Sequence, residues 1–430
     1  MFWTIILLLL ILFLFSRKYK HLMRYVGTFL LAAAGLFLTV SMVRAPSDAF
    51  DAALQGLKIW WEVVFPALLP FFIGSEILMG LGVVNFMGVM LEPLMRPLFN
   101  VPGVGSFVMA MGLASGYPIG AILTRRLRKE ELCNQVEAER LVSFTNTADP
   151  LFMVGAVAVG MFGDARLGTI IAIAHYIAAV LVGLCMRFYR PDAPRSAQLA
   201  PERGNILLRA FKELFRARRR DGRPLGQILG DAVKGSVNSL LMVGGFIILF
   251  SVIMRIATIT GLVAAVSQSI VGLLGALGLA QSLGDSVISG LFELTNGCAV
   301  ASATVAPVMD RVVMASAIIA WSGLSVHAQV AAVLNDTDVR IAPYIFARAL
   351  HGVFAGVCTW LLWPRLGVTA LGTISLPAFL QTAPSASWGF FWQRLAFMGG
   401  RTALLMLALL VISLLYQTIQ PLRRIVWRHR

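Results

Sequence analysis

Apolar runs of about twenty residues recur along almost the whole chain, and most of the charge falls in the gaps between them. A helix needs about 20 mostly apolar residues to cross a bilayer. Only helices or closed barrels satisfy their backbone there, and uninterrupted runs of this length select helices. Of 430 residues, 58% are hydrophobic and 13% charged, against roughly 45–50% and about 25% in soluble domains. The fold class is therefore an all-α polytopic membrane protein.

The net charge of +15 raises the question of nucleic acid, since basic patches bind phosphate backbones. Its distribution answers otherwise. Between Arg187 and Pro224 there are eleven Lys/Arg and four acids, nearly half the excess in one gap, as in a cytoplasmic loop under the positive-inside rule. No nucleic-acid partner is expected. Within this loop Leu207, Leu208, Phe211, Leu214 and Phe215 fall on one helical stripe opposite Arg209, Lys212 and Arg216. The pattern predicts a surface helix over 205–220 on anionic lipid headgroups.

Cys133, Cys185, Cys298 and Cys358 form no close pair, so neither a zinc site nor a redox dithiol is expected. There is no Walker A loop, H-E-x-x-H helix or complete G-x-G-x-x-G, and no nucleophile with an evident base. The chain reads as no enzyme, with no cofactor and no metal.

Charge then orders the spans. Residues 2–15 are followed by Arg17, Lys18, Lys20 and Arg24, which marks a retained anchor with the N-terminus outside. Residues 25–43 return outside, 44–58 are charge-balanced, and 59–84 come in, bent at Pro66 and Pro70. An interfacial helix fits 85–100. Residues 103–123 are apolar, yet Arg125, Arg126, Arg128 and Lys129 follow, on the side where the segment began. Such a segment cannot cross, and the prediction is a re-entrant hairpin with its tip at 115–118. Residues 141–163 and 168–186 go out and back to the basic loop.

After the loop the pattern recurs. "FFIGSEILMG" at Phe71 lies over "FIILFSVIMR" at Phe246, and "LASGYPIGA" at Leu113 over "ELTNGCAVA" at Glu293. "FTNTADPLF" at Phe144 lies over "AWSGLSVHA" at Ala320, and "HYIAAVLVG" at His175 over "HGVFAGVCT" at His351. The offsets run only from 175 to 180, which marks a duplicated unit. Each unit has three crossings and one hairpin, so the second copy is inverted, as in many secondary transporters. The chain accordingly divides into a two-helix anchor (1–58), repeat 1 (59–188, hairpin 103–123), a basic cytoplasmic linker (189–233), inverted repeat 2 (234–363, hairpin 283–303) and a C-terminal part (364–430). In repeat 2, residues 234–257 go out, 312–334 come in and 341–363 go out. The C-terminal part holds an external loop, a last span at 395–416 and a basic cytoplasmic tail.

Helix breaks inside a bilayer persist only where protein or a wet cavity surrounds them. Four are legible, at 115–118, 145–150, 293–297 and 321–325. Half-helix N-termini there offer N–H groups to a carboxylate. Ser115, Gly116, Tyr117, Thr145, Asn146, Thr295, Asn296 and Ser322 are the candidate substrate contacts, with Tyr117 able to stack on a flat ring. Asp149, Glu293 and His327 are the candidates for a coupling ion or proton. Structural alternatives stand beside these. Gly112, Gly116 and Gly120 could serve helix contact, Asn146 and Asn296 could be caps, and Asp149 and Glu293 could pair with Arg255 or Arg348. His175 and His351 read as an interhelical hydrogen bond, and Glu76 as either such a bond or a ligand.

The segments "FPALLPFFIGSEILMGLG", "LEPLMRPLFNVPG", "SGYPIGA", "EAERLVSFTNTADPLFMVGAVAVGMF" and "ELTNGC" together resemble the sporulation integral membrane protein family represented by YlbJ, which carries a nucleoside-recognition, or Gate-type, domain. The resemblance covers about 60–364. It implies a multi-pass protein of the cell or forespore membrane of a spore-former, moving dipicolinate, a flat pyridine with two carboxylates, toward the spore; the inverted repeat with its four breaks adds alternating access as the expected mode. A dianion beside Asp149 and Glu293 requires those carboxyls to be protonated or paired. The rival readings are a nucleoside or nucleobase transporter, and a non-transporting scaffold or sensor working through its basic helix.

Overall fold

The computed structural model describes residues 20–196 and 205–366, and all regular structure within them is helical. The expected anchor at 2–15, the last span at 395–416 and the basic tail lie outside the described residues.

Helix α1 (Lys20–Arg44) turns sharply into α2 (Pro46–Ile59), the two axes differing by 104°. Proline occupies the first turn of α2, where its missing N–H costs nothing. The chain continues without interruption through a π-helical stretch, Trp60–Val64, into α3 (Phe65–Gly80). The expected loop at 44–58 is therefore helical, and the span expected to begin at 59 begins at 46. The irregularity falls just before Pro66, where the widened turn bonds the Phe65 N–H to Trp60 O, a common way to absorb a local break in the ladder.

Gly82, in the left-handed region at φ 81°, starts α4 (Val83–Leu94), which a second π-helical stretch extends to Phe99. Next come α5 (Gly105–Ser115), α6 (Ile119–Lys129) and α7 (Gln135–Thr145), then a π-helical stretch, Phe152–Met161, and α8 (Arg166–Met186). Helix α9 (Ile206–Asp221) follows the linker. The remaining elements are α10 (Leu225–Ile259), α11 (Leu262–Ala276), α12 (Gly284–Phe292), α13 (Leu294–Ala303), α14 (Val308–Trp321), α15 (Gly323–Leu334) and α16 (Ile341–Leu366). Helix α11 has no counterpart in the sequence reading.

By length and hydropathy, four of these stretches can cross a membrane: α8, α10, the α14–α15 pair and α16. The number becomes six if each of two bent pairs counts as one span. The α7 and Phe152–Met161 stretches, expected to form one crossing, are separated by the break between them.

Helix α10 runs antiparallel to the continuous helix 46–80 along its length. Arg255 pairs with Asp48, the Trp60 Nε1–H donates to Leu240 O at 2.9 Å, and Ile228 lies against Gly80. At the centre α16 packs against α8 and α14. His351 Nε2 contacts His175 O at 3.0 Å with the rings 4.5 Å apart, so the two histidines do link their helices.

Helix α9 corrects one expectation. Its apolar stripe is divided: Ile206 and Ala210, with Leu207 and Leu214, pack on Phe86 and Met90 of α4. Leu208 and Phe215 remain exposed, at 71% and 60%. Phe211 is exposed beside them, so the helix docks on protein along one face and still turns an apolar strip outward.

Candidate functional site

The first predicted hairpin is built on close backbone approach. A Cβ at Gly112 of α5 would overlap the Thr145 carbonyl oxygen, and one at Gly120 of α6 would lie 2.6 Å from the same atom. Both limbs thus converge on the end of α7. Between them Gly116 adopts φ 73°, and Tyr117–Pro118 is cis. A Cβ at Gly116 would stand 2.7 Å from Asp149 Oδ2. The small-residue stripe serves helix contact, as its structural reading held, and the contact it makes presses the 116–118 tip onto the 146–150 break.

Side chains then satisfy the groups freed by the break, in line with the near-universal pairing of buried polar groups. Asn146 Oδ1 accepts the Ala121 N–H of α6 at 3.3 Å, and Asn146 Nδ2 donates to Tyr344 OH at 2.9 Å. The Thr145 hydroxyl returns to Leu141 O at 2.7 Å. Asp149 Oδ1 accepts from Leu151 N at 3.0 Å and Phe152 N at 2.9 Å, capping the π-helical stretch.

The second tip is tighter than expected. Its break is one extended residue, Glu293 (φ −146°, ψ 124°), whose Oε2 accepts the Asn296 N–H at 2.7 Å. Thr295, Asn296 and Gly297, expected within the break, lie in the first turns of α13. Asn296 Nδ2 donates to Ser251 Oγ at 2.7 Å. The predicted break at 321–325 likewise contracts to Ser322, left-handed at φ 72°. Some of the N–H groups at these helix starts are already taken: Asn146 accepts from Ala121, Glu293 from Asn296, and Asp149 from Leu151 and Phe152.

What the two breaks enclose is Arg348 of α16, with no exposed surface. Its Nη1 donates to Asn146 O at 3.0 Å, and its Nη2 to Ser143 O. These carbonyls belong to the end of α7, where unpaired carbonyls and the helix dipole favour a cation. The guanidinium carbon lies 5.5 Å from the Tyr344 ring centroid. Arg348 makes no ion pair among the described residues, and its Nε has no hydrogen-bond partner. The structural alternative that pairs Arg348 or Arg255 with Asp149 or Glu293 is therefore not met: Arg255 is held by Asp48, and Arg348 by main-chain carbonyls.

Around Arg348 stand several predicted contacts. The Tyr117 hydroxyl donates to Ile319 O at 3.1 Å. The Ser322 hydroxyl neighbours those of Tyr117 and Tyr344 without hydrogen-bond geometry. His327 contacts Gly323 O through Nδ1 at 2.6 Å, and its buried Nε2 has no partner. The His327 ring lies 4.4 Å from that of Trp321 and 5.5 Å from that of Tyr344. Tyr117, Asn146, Ser322 and His327 are thus brought together, while Thr295 and Asn296 belong to the second tip. Arg348 and Tyr344 were missed as site residues. The available signal was an arginine inside an otherwise apolar helix, which marks a functional position by default.

At the end of α6 ion pairs bridge the two halves. Arg125 and Lys129 bind Asp336, Arg128 binds Asp338 at 2.8 Å, and Arg340 binds Glu139 at 2.7 Å. Hydrogen bonds from Arg125 and Lys129 hold the Asp336 carboxyl well below the usual range.

The Gate family, described as nucleoside recognition, matches residues 61–175. Sporulation integral membrane protein YlbJ of Bacillus subtilis (strain 168) is 49% identical over 345 residues, spanning 79% of this chain and 84% of the relative. An uncharacterized protein of Alkalihalophilus pseudofirmus is 29% identical over 169 residues, 38% of this chain and 35% of that one. Among solved structures, CNTnw in an inward-facing substrate-bound state gives a TM-score of 0.41 at 14% identity, covering 78% of this chain and 87% of that one. A CNTnw variant in an outward-facing state gives 0.40 at 14% identity, with 76% and 87% covered. The identity to YlbJ along most of both chains settles the family: this chain belongs to that of the sporulation integral membrane protein YlbJ.

Proposed function

We propose that the protein transports a small organic anion during sporulation, with dipicolinate as the substrate, by alternating access. The observation that carries this reading is Arg348, a fully buried guanidinium with no carboxylate partner among the described residues, flanked by aromatic rings. Burying a charge without a counter-charge costs several kcal/mol. An incoming carboxylate supplies that counter-charge, and arginine's planar fork suits it. Tyr117, Tyr344, His327 and Trp321 supply faces for a flat ring. Asp149 and Glu293 spend carboxylate oxygens on backbone donors, so on this reading they shape the site and the arginine supplies its charge.

Two further observations support the inverted-repeat plan behind alternating access. The element order from 46 to 186 recurs from 225 to 366, and its long first helices run antiparallel. Two cavities also approach the two tips. One, of about 70 Å³, is bordered by Glu76, Ser115 and Tyr117; the other, of about 510 Å³, by Asp51, Arg255, Ser289 and Asn296. At 1.5 Å per residue, their borders on the helix 46–80 are roughly 30 Å apart, as two alternately open vestibules would be.

Uptake of labelled dipicolinate by proteoliposomes tests the proposal. Wild-type protein should take it up and Arg348→Gln should not. No uptake by the wild type under any proton, sodium or voltage gradient would remove the reading. The Gate match, with its nucleoside-recognition description, favours a nucleoside as the second reading. In that case uridine or adenosine should displace bound ligand where dipicolinate does not.

A further inference from the structure

We propose that Glu76 is the carboxylate of a cation site, for a proton or a monovalent metal ion, in the cavity at the first hairpin tip. This rests on the transport reading, and assigns to that cation the coupling of transport to a gradient. The cavity, of about 70 Å³, is bordered by Glu76 of α3, Ser115 and Tyr117 of the tip, Ser236 and Ser239 of α10, and Gln329 of α15. A buried water needs roughly 10–15 Å³ of such free space, so the cavity holds an ion together with a few waters.

The carboxylates within the helical bundle divide into committed and uncommitted. Asp149 and Glu293 each accept backbone N–H groups. Glu76 makes no hydrogen bond and no ion pair among the described residues. A second, independent feature points to a ligand. Ser236, only 1% exposed, borders the same cavity with a hydroxyl that has no partner. Leaving such a group unpaired costs about 1–3 kcal/mol, which a bound ion or its water would recover.

One carboxylate among neutral oxygens suits a single positive charge. A divalent ion wants more anionic ligands, and no group of three His, Cys, Asp or Glu side chains able to hold one occurs among the described residues. The charged group facing Glu76 is Arg223, in the turn just before α10, itself bound to Asp221 and Asp231. The tip contributes Tyr117, whereas α10 and α15 contribute the neutral Ser236, Ser239 and Gln329, with Met242 and Val243 beside them, and no charged group. Tyr117 is also the wall between this cavity and the Arg348 cluster. Cation and anion would therefore act on opposite faces of one side chain.

Two measurements test the site. In proteoliposomes, Glu76→Gln should lose accumulation of dipicolinate above equilibrium while retaining counterflow exchange, and Ser236→Ala should shift the cation concentration required upward. Wild-type runs with a proton or a sodium gradient alone identify the cation. Undiminished accumulation by Glu76→Gln would overturn the proposal. If the wild type moves no substrate, the transport reading fails separately, and the site is then judged on purified protein by infrared difference spectroscopy. A carboxyl band that responds to a pH jump or to sodium, and vanishes in Glu76→Gln, supports the site. No such band in the wild type contradicts it.

Discussion

The two hairpin tips occupy corresponding places in the element order and differ in what they leave available. The first opens over 116–118, borders a small cavity and carries Tyr117 between Glu76 and Arg348. The second opens at Glu293 alone, caps its own helix, ties Asn296 to Ser251 and lies near an Arg255 already bound to Asp48. Similar element order at the two tips thus comes with different chemistry. At the first tip the half-buried Glu76 and the buried Ser236 hydroxyl share a small cavity, whereas the second tip spends Glu293 and Asn296 on its own hydrogen bonds beside a wider one.

The sharpest way to break this comparison is to thicken a tip. Gly112→Ala drives a methyl into the Thr145 carbonyl, where backbone meets backbone, and Gly297→Ala does the same against Gly290 Cα. Overpacking of this kind costs about 1–3 kcal/mol or more. Both variants should lose monodisperse protein in detergent-solubilised chromatography, whereas Gly74→Ala, with nothing within 4 Å of the added carbon, should not.

Removing the caps comes next in size. Asp149→Ala strips two backbone donors of their acceptor and Glu293→Ala strips one, at about 0.5–2 kcal/mol per cap. Thermal unfolding should rank Asp149→Ala as the greater loss, with Asp149→Asn close to wild type. An Asp149→Asn variant as unstable as the alanine would make the charge, and not the cap, the important property.

Deleting 205–220 separates the site from the surface. Transport should survive, since α9 packs on α4 and touches neither tip; a scaffold working through this helix should fail.

The smallest effect concerns pH at the ion pairs beyond the first tip. The Asp336 carboxyl is held below its ordinary range by Arg125 and Lys129. A depressed carboxylate contributes above its unfolded pKa and loses that contribution only as pH falls through the lowered folded value. The distance between spin labels on α6 and the 335–340 loop, read by pulsed electron resonance, should therefore be unchanged from pH 7 to 5 and should broaden in Asp336→Asn. A broadened distance near pH 5 in the wild type would break the assignment.

Much of this plan was legible because charge and proline punctuate it. Arg125 to Lys129 beside an apolar run forced a break, and Pro118 and Gly116 located it. What escaped detection lacked punctuation or used distant partners. Helix α11 carries no charge to set its ends. The 44–58 segment looked like a loop because Asp48 and Asp51 balance Arg44 and Lys58, although Pro46 with Asp48 in the first turn is a helix-start signal. The caps at Asp149 and Glu293 could have been anticipated from acids at helix starts, yet their position in apolar sequence drew them toward ligand roles. Arg348 was visible, but its acceptors are main-chain carbonyls some two hundred positions away, and main-chain acceptors leave no trace in residue identity.

The account stands on that arginine. Equilibrium binding of dipicolinate to purified protein, compared with Arg348→Lys and Arg348→Gln at matched folding, tests it most directly. Saturable binding by the wild type, weakened by lysine and abolished by glutamine, is the predicted result. Equal binding by all three proteins would contradict it.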